Sequence, residues 1–170
     1  MPDKLPLTWQ DVEYFLHDIV RQMYQSKWIP DIIVGIDRGG LPISVMLSHY
    51  LGVRHENVKV SLRDANGSDC ESNLWLPELA IEGQRILIVD DINDSGATQT
   101  WMKEDWASSV AGVNPNFVND YWHDTIRWAS LVDNEASAEE SDYCGMVINK
   151  HENDVWIDFP WESWWNRSTT

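Results

Sequence analysis

The sequence predicts an α/β fold with a central parallel sheet flanked by helices. Three observations carry this reading. Two short apolar runs rich in β-branched residues, Ile32-Ile33-Val34 and Ile86-Leu87-Ile88-Val89, are too short for helices and unbroken by polar positions, as in strands buried on both faces. Each run passes into a glycine-containing turn and then a helical stretch, the repeating unit of parallel sheets. Finally, 170 residues with 43% hydrophobic content suit one globular domain, residues 1–170, with room for a core.

Along the chain, Thr8 with Asp11 three residues on forms a capping box, Asp standing in for Glu, and opens a helix to about Ser26. Val12, Phe15, Leu16, Ile19, Val20 and Met23 make its single core-facing stripe. Pro30 closes that segment. A strand at residues 31–36 then leads through Gly35-Ile36-Asp37-Arg38-Gly39-Gly40 into a helix at 41–51 that Gly52 terminates. Alternating Val58, Val60 and Leu62 predict a strand at 57–62. Residues 63–73 have almost no apolar content and carry an Asn66-Gly67 turn signal, so they read as a mobile loop. The strand at 86–89 ends in acid, and a helix from about Ala97 to about Ala111 stops at Gly112. Residues 113–124, longer than an average connection, read as an insertion. A strand at 125–132, an acidic stretch at 133–142 and a short strand at 143–148 follow.

Composition narrows the function. A formal net charge of −16 opposes nucleic-acid and anionic-membrane partners. Cys70 and Cys144 form no metal-binding spacing, and the Met-Pro-Asp-Lys start has no apolar signal region, so the expectation is a cytoplasmic protein with free thiols and no membrane span.

The chemistry concentrates at residues 85–98, Arg-Ile-Leu-Ile-Val-Asp-Asp-Ile-Asn-Asp-Ser-Gly-Ala-Thr. Ligands of open parallel sheets bind beyond the carboxyl ends of the strands, where Asp90 and Asp91 are expected to leave the sheet. Ser95, Gly96 and Thr98 before a helix suit a phosphate, since the first N–H groups of a helix lack internal partners. Adjacent carboxylates repel phosphate and suit hydroxyl groups, hydrated Mg²⁺ or a cationic centre. Arg38 between glycines is a second anion cradle.

Residues 89–98, Val-Asp-Asp-Ile-Asn-Asp-Ser-Gly-Ala-Thr, resemble over their whole length the phosphoribosyl-pyrophosphate (PRPP) signature of type I phosphoribosyltransferases. The Val155-Trp156-Ile157-Asp158-Phe159-Pro160-Trp161-Glu162 stretch is similar to the base-covering segment of the purine enzymes that act on hypoxanthine, xanthine and guanine. The resemblance implies the type I fold with a small hood over the base, built from the N-terminal segment and about 143–165, and a lid at about 63–79. It implies transfer of the phosphoribosyl group from PRPP to a purine, most simply a 6-oxopurine, with Mg²⁺ as cofactor and a homodimer or homotetramer. Asp94 would be the base, with Asp90 and Asp91 on the ribose. Asp94, Ser95, Gly96, Ala97 and Thr98 would bind the 5′-phosphate, and Asp37, Arg38 and Gly39 the pyrophosphate, after a cis peptide before Arg38. Trp156 and Ile157 would hold the base, and Asp90, Asp91 and Glu162 the metal. The chain departs from the pattern twice. It has Ser61-Leu62-Arg63 where purine relatives carry a Ser-Tyr pair, and Asn134 where they carry a base-binding lysine. Asn134 can donate to an oxo group or accept from an amino group, so adenine, a modified purine or a pyrimidine stays open as acceptor. A PRPP-binding regulator without catalysis is the other class of reading.

Overall fold

The computed structural model describes residues 1–60, 62 and 73–167. Its elements in chain order are β1 (Asp3–Pro6), α1 (Trp9–Gln25), β2 (Ile32–Asp37), α2 (Leu41–Leu51), β3 (Arg54–Lys59), α3 (Trp75–Ile81) and β4 (Ile86–Asn93). They continue with α4 (Ala97–Ser109), α5 (Phe117–Tyr121), β5 (Ile126–Asn134), β6 (Tyr143–Ile148), β7 (Val155–Asp158) and a 3₁₀ turn, Trp164–Asn166.

Five strands form one parallel sheet in the order β3-β2-β4-β5-β6. Because the chain leaves β2 outward to β3 and returns to the other side for β4, strand order reverses between β2 and β4. That switch point opens a crevice beyond the carboxyl ends of these two strands. The apolar runs seen in the sequence are buried at this centre: Ile32, Ile33, Val34 and Ile86 to Val89 are each at most 1% exposed. Ile33, Leu87 and Val89 pack on the side of α1 and α2, while Ile32, Val34, Ile86 and Ile88 pack with Leu76 of α3, Trp106 of α4 and Phe117 of α5.

The α1 start is as expected: the Thr8 N–H donates to Asp11 Oδ2 at 2.8 Å and the Asp11 N–H to Thr8 Oγ1 at 3.0 Å. Gly52 closes α2 with φ of 65°. From α1, Gln22 bonds both backbone groups of Cys144, donating to its carbonyl at 2.7 Å and accepting its N–H at 3.2 Å, which occupies part of the free edge of β6.

Among the boundaries that differ from the sequence reading, several do so for a tertiary reason. The third strand lies at Arg54–Lys59 rather than 57–62, because its register against β2 runs from Ile32↔Arg54 to Asp37↔Lys59. As an edge strand it buries only Val58, so side-chain alternation placed it poorly. The strand β4 does not stop at Val89: ladder pairs Ile92↔Val132 and Asn93↔Asp133 carry it past both aspartates. Residues 113–124 are no bare insertion, since α5 and the following Trp122 bury aromatic surface in the core. The expected lid at 63–79 lies outside the described residues at 63–72, and its last part is instead the start of α3, which buries Leu76, Pro77 and Ala80. Residues 143–148, expected with the hood, pair with β5 in the main sheet.

The terminal segments meet in a separate two-stranded parallel sheet, β1 with β7, in the register Asp3↔Val155 to Pro6↔Asp158. Arg167 ties it together, donating to the carbonyls of Leu7 (2.8 Å), Asp158 (3.0 Å) and Phe159 (2.7 Å).

Candidate active site at the switch point

Both flanking loops follow from their sequences. After β2 the chain turns through a cis peptide between Asp37 and Arg38, and then Gly39 and Gly40 bring it against β4. A Cβ on Gly39 would overlap the Asp91 carboxylate, and one on Gly40 would meet the Val89 carbonyl and the Asp90 Cα. Only glycine permits this approach. Arg38 is exposed, Gly39 half-buried and Asp37 half-buried, the last accepting from Asn57 Nδ2 at 3.3 Å.

Across the crevice, Asp90 is 8% exposed. It accepts the Asp91 N–H at 2.9 Å, while the Asp91 carboxylate accepts the Ile92 N–H at 2.8 Å. Burial, and then the charge of Asp91 beside it, push the Asp90 carboxyl well above the usual carboxylate range. Two carboxyl groups held together in a partly dry site call for a cation or for hydroxyl donors. They fit Mg²⁺ in the way that ion is usually held, by one or two carboxylates with the remaining positions left to substrate oxygens. Among the described residues no three His, Cys, Asp or Glu side chains converge as a metal cluster. Glu162 is half-buried beyond β7.

The loop to α4 exposes Asp94, Ser95 and Ala97, and half-buries Thr98. Gly96 caps the helix in the left-handed region, at φ 88°, and the Ala97 N–H reaches Ser95 Oγ at 3.3 Å. A supporting layer that sequence reading missed lies beneath. Asn93 Nδ2 donates to Asp133 Oδ1 and to the Glu139 carbonyl, both at 2.8 Å. Ser137 Oγ donates to Asn93 Oδ1 at 3.0 Å, and the Ala138 N–H to the Ser95 carbonyl at 3.1 Å. Glu139 in turn accepts from Thr100 Oγ1 at 2.9 Å and pairs with Lys103. The acidic stretch at 133–142 thus braces the loop. No local pattern announces this, because the partners are about forty residues apart in sequence.

Asn134 is placed differently from the expectation that it faces a base. It is 6% exposed at the end of β5, its Nδ2 donates to the Asp94 carbonyl at 3.0 Å, and its Oδ1 accepts the N–H groups of Ala136 (3.2 Å) and Lys150 (3.1 Å). Both ends of the amide are committed to the protein. Lys150, which the sequence reading passed over, forms an ion pair with Asp94 Oδ2 at 2.9 Å. At the hood, Trp156 is 46% exposed in β7, and Ile157 beside it is buried. Phe159 and Trp161 stack with centroids 4.9 Å apart, and Trp9 tilts onto Trp161 at 5.9 Å.

An acid pair in the second half of the central strand, a helix-opening loop and a glycine-arginine loop across a switch point make a site suited to a phosphorylated ligand that also carries hydroxyl groups. Residues 4–164 match the phosphoribosyl transferase domain, and the chain belongs to that family. It is 25% identical over 165 residues, 96% of this chain and 92% of the relative, to the xanthine-guanine phosphoribosyltransferase of Vibrio atlanticus. Among solved structures it superposes on a purine phosphoribosyltransferase from Pyrococcus horikoshii with TM-score 0.67 and 27% identity, covering 95% of each chain. The fold also matches the xanthine-guanine-hypoxanthine phosphoribosyltransferase of Helicobacter pylori, at TM-score 0.67 and 18% identity over 96% of this chain and 95% of that one.

Proposed function

We propose that the chain is a purine phosphoribosyltransferase that moves the phosphoribosyl group of PRPP onto a purine base, releasing pyrophosphate. The observation that carries this reading is the packing of Gly39 on Asp91 across the switch point, which sets an anion loop and an acid pair face to face. A 6-oxopurine acceptor is favoured by relatives whose names specify xanthine, guanine or purine substrates.

In the reaction a ring nitrogen attacks C1 of PRPP with its lone pair. The C1–oxygen bond breaks, pyrophosphate leaves with those electrons, and the proton on the base goes to Asp94. Asp90 and Asp91 bind the ribose hydroxyls and stabilise positive charge developing on the sugar. Asp94, Ser95, Gly96, Ala97 and Thr98 hold the 5′-phosphate with the first N–H groups of α4. Asp37, Arg38 and Gly39 hold the pyrophosphate. Trp156 stacks on the base, and the backbone of Ile157 bonds its edge. Asp90 and Asp91 would hold Mg²⁺, whose charge when bound would favour pyrophosphate departure, and Glu162 would help hold a second Mg²⁺ through water.

Charged PRPP does not cross membranes unaided, so a cytoplasmic location fits the reaction. No described helix is long and apolar enough to span a bilayer. The resemblance carries a homodimer or homotetramer as the working state. Exposed Trp164 and Trp165 are apolar surface that such an assembly would cover. The test is chromatographic detection of nucleoside monophosphate made from PRPP, Mg²⁺ and hypoxanthine or guanine. Product supports the reading, and its absence with every purine overturns it.

A further inference from the structure

A carboxylate lies beneath the loop that would hold the 5′-phosphate, where an anion is an unfavourable neighbour. Glu139, in the connection between β5 and β6, packs directly on that loop. A Cβ on Gly96 would lie 2.9 Å from the Glu139 nitrogen and 3.0 Å from its Cγ. The Glu139 carbonyl accepts from Asn93 Nδ2 at 2.8 Å, and the Ala138 N–H beside it donates to the Ser95 carbonyl at 3.1 Å. The Glu139 carboxylate reaches the first two turns of α4, accepting from Thr100 Oγ1 at 2.9 Å and pairing with Lys103 Nζ.

That ion pair is not a solvated surface contact. The side chains are 19% exposed for Lys103 and 16% for Glu139, so salt screens their charges weakly. The ammonium is held on a second side, 5.7 Å from the centre of the Trp122 ring, whose face attracts a cation. Trp122 is itself buried among the aromatic side chains around α5. Lys103 therefore has a fixed place between an acid and an indole.

The arrangement separates two effects of one residue. The backbone and stem of Glu139 support Asn93 and Gly96, which gives the loop its shape. Its charge works against phosphate binding, because a helix N-terminus beside a carboxylate attracts a second anion less. Lys103 cancels that charge where it arises. We propose that Lys103 is a positioning residue for the 5′-phosphate, acting through Glu139: it lets a carboxylate brace the loop without opposing the anion that the loop binds. The inference rests on the phosphoribosyltransferase reading and adds to it how a chain of net charge −16 keeps one of its acids from repelling the phosphate.

The experiment measures binding of PRPP and of pyrophosphate, each with Mg²⁺, by calorimetric titration of wild type, Lys103→Met, Lys103→Arg and the double variant Lys103→Met with Glu139→Gln. PRPP engages the α4 loop through its 5′-phosphate, whereas pyrophosphate meets the Arg38 loop across the crevice. In Lys103→Met the Kd for PRPP should rise by about tenfold or more, from one uncompensated charge near the phosphate, while that for pyrophosphate stays within about twofold. Lys103→Arg should bind both like wild type. The double variant, which removes both charges and keeps an acceptor for Thr100, should regain most of the PRPP affinity. A loss of fold, or one more negative charge felt everywhere on an acidic protein, would weaken both anions alike. An unchanged Kd for PRPP in Lys103→Met, an equal loss for pyrophosphate, or no recovery in the double variant overturns the proposal. If Lys103→Met does not fold, as thermal unfolding would show, Lys103→Gln replaces it with the same expected and overturning results. Wild type that binds neither PRPP nor pyrophosphate defeats the underlying reading as well, and that result is distinct because it precedes any substitution.

Discussion

Asp90 is a carboxyl group whose place in the fold conflicts with its charge. Burial and the neighbouring Asp91 raise its pKa, so the folded protein favours the protonated form. Its contribution to stability is full below the ordinary carboxylate value and is lost as pH rises through the raised one. Asp90→Asn mimics the protonated state. Thermal unfolding without substrate should therefore show the variant more stable than wild type, with the gap widening as pH rises across that window, while PRPP turnover is lost. Parallel curves would contradict the assigned cause. Asp94 stands apart from it, largely open and paired with Lys150. Asp94→Asn should lower kcat by about 10²–10⁴-fold, the usual contribution of a general base, in steady-state assays with saturating PRPP. These acids were legible because three carboxylates in one short loop exceed what helix capping needs. Lys150 was not, because its meaning comes from a contact made 56 residues away.

The elements that build the crevice differ in how plainly their sequences announce them. The central strands β2 and β4 were readable as apolar runs because neighbours cover both faces, and α1 because its capping box and stripe are local. The edge strand β3, the strand β1 and the helix α5 depend on distant partners: β1 exists only by pairing with β7, and α5 by burying Phe117. The β4 ladder past Asp90 was hidden for the same reason, since carboxylates seldom continue a strand unless a neighbour such as β5 pairs with it. The glycine loop after β2 gives a test at this scale. Gly40→Ala would press a methyl against the β4 backbone and should destabilise the fold by roughly 1–3 kcal/mol, the usual cost of overpacking, measured by denaturant unfolding. Gly39→Ala strikes the Asp91 carboxylate instead. It should lower PRPP affinity in calorimetric titration with far less effect on stability.

For the whole molecule, a net charge of −16 on 170 residues means strong self-repulsion, which salt relieves. The thermal midpoint should rise as ionic strength goes from about 0.01 M to about 1 M, where the screening length shrinks from about 30 Å to about 3 Å. A midpoint independent of salt would show that the acids are already locally paired. The same surplus gives weight to each cation near the site among the described residues, such as the exposed Arg38, as a place where an anionic ligand can be met. The family and the central strands are readable in the sequence, while the strand order that makes the switch point depends on pairings that only the fold assembles. The central claim is tested most directly by pyrophosphate release from PRPP and Mg²⁺ with guanine, hypoxanthine, xanthine, adenine and uracil offered one at a time. The account predicts rapid release with 6-oxopurines and little with adenine or uracil. Release with uracil alone, or with none of the five despite PRPP binding, would contradict it.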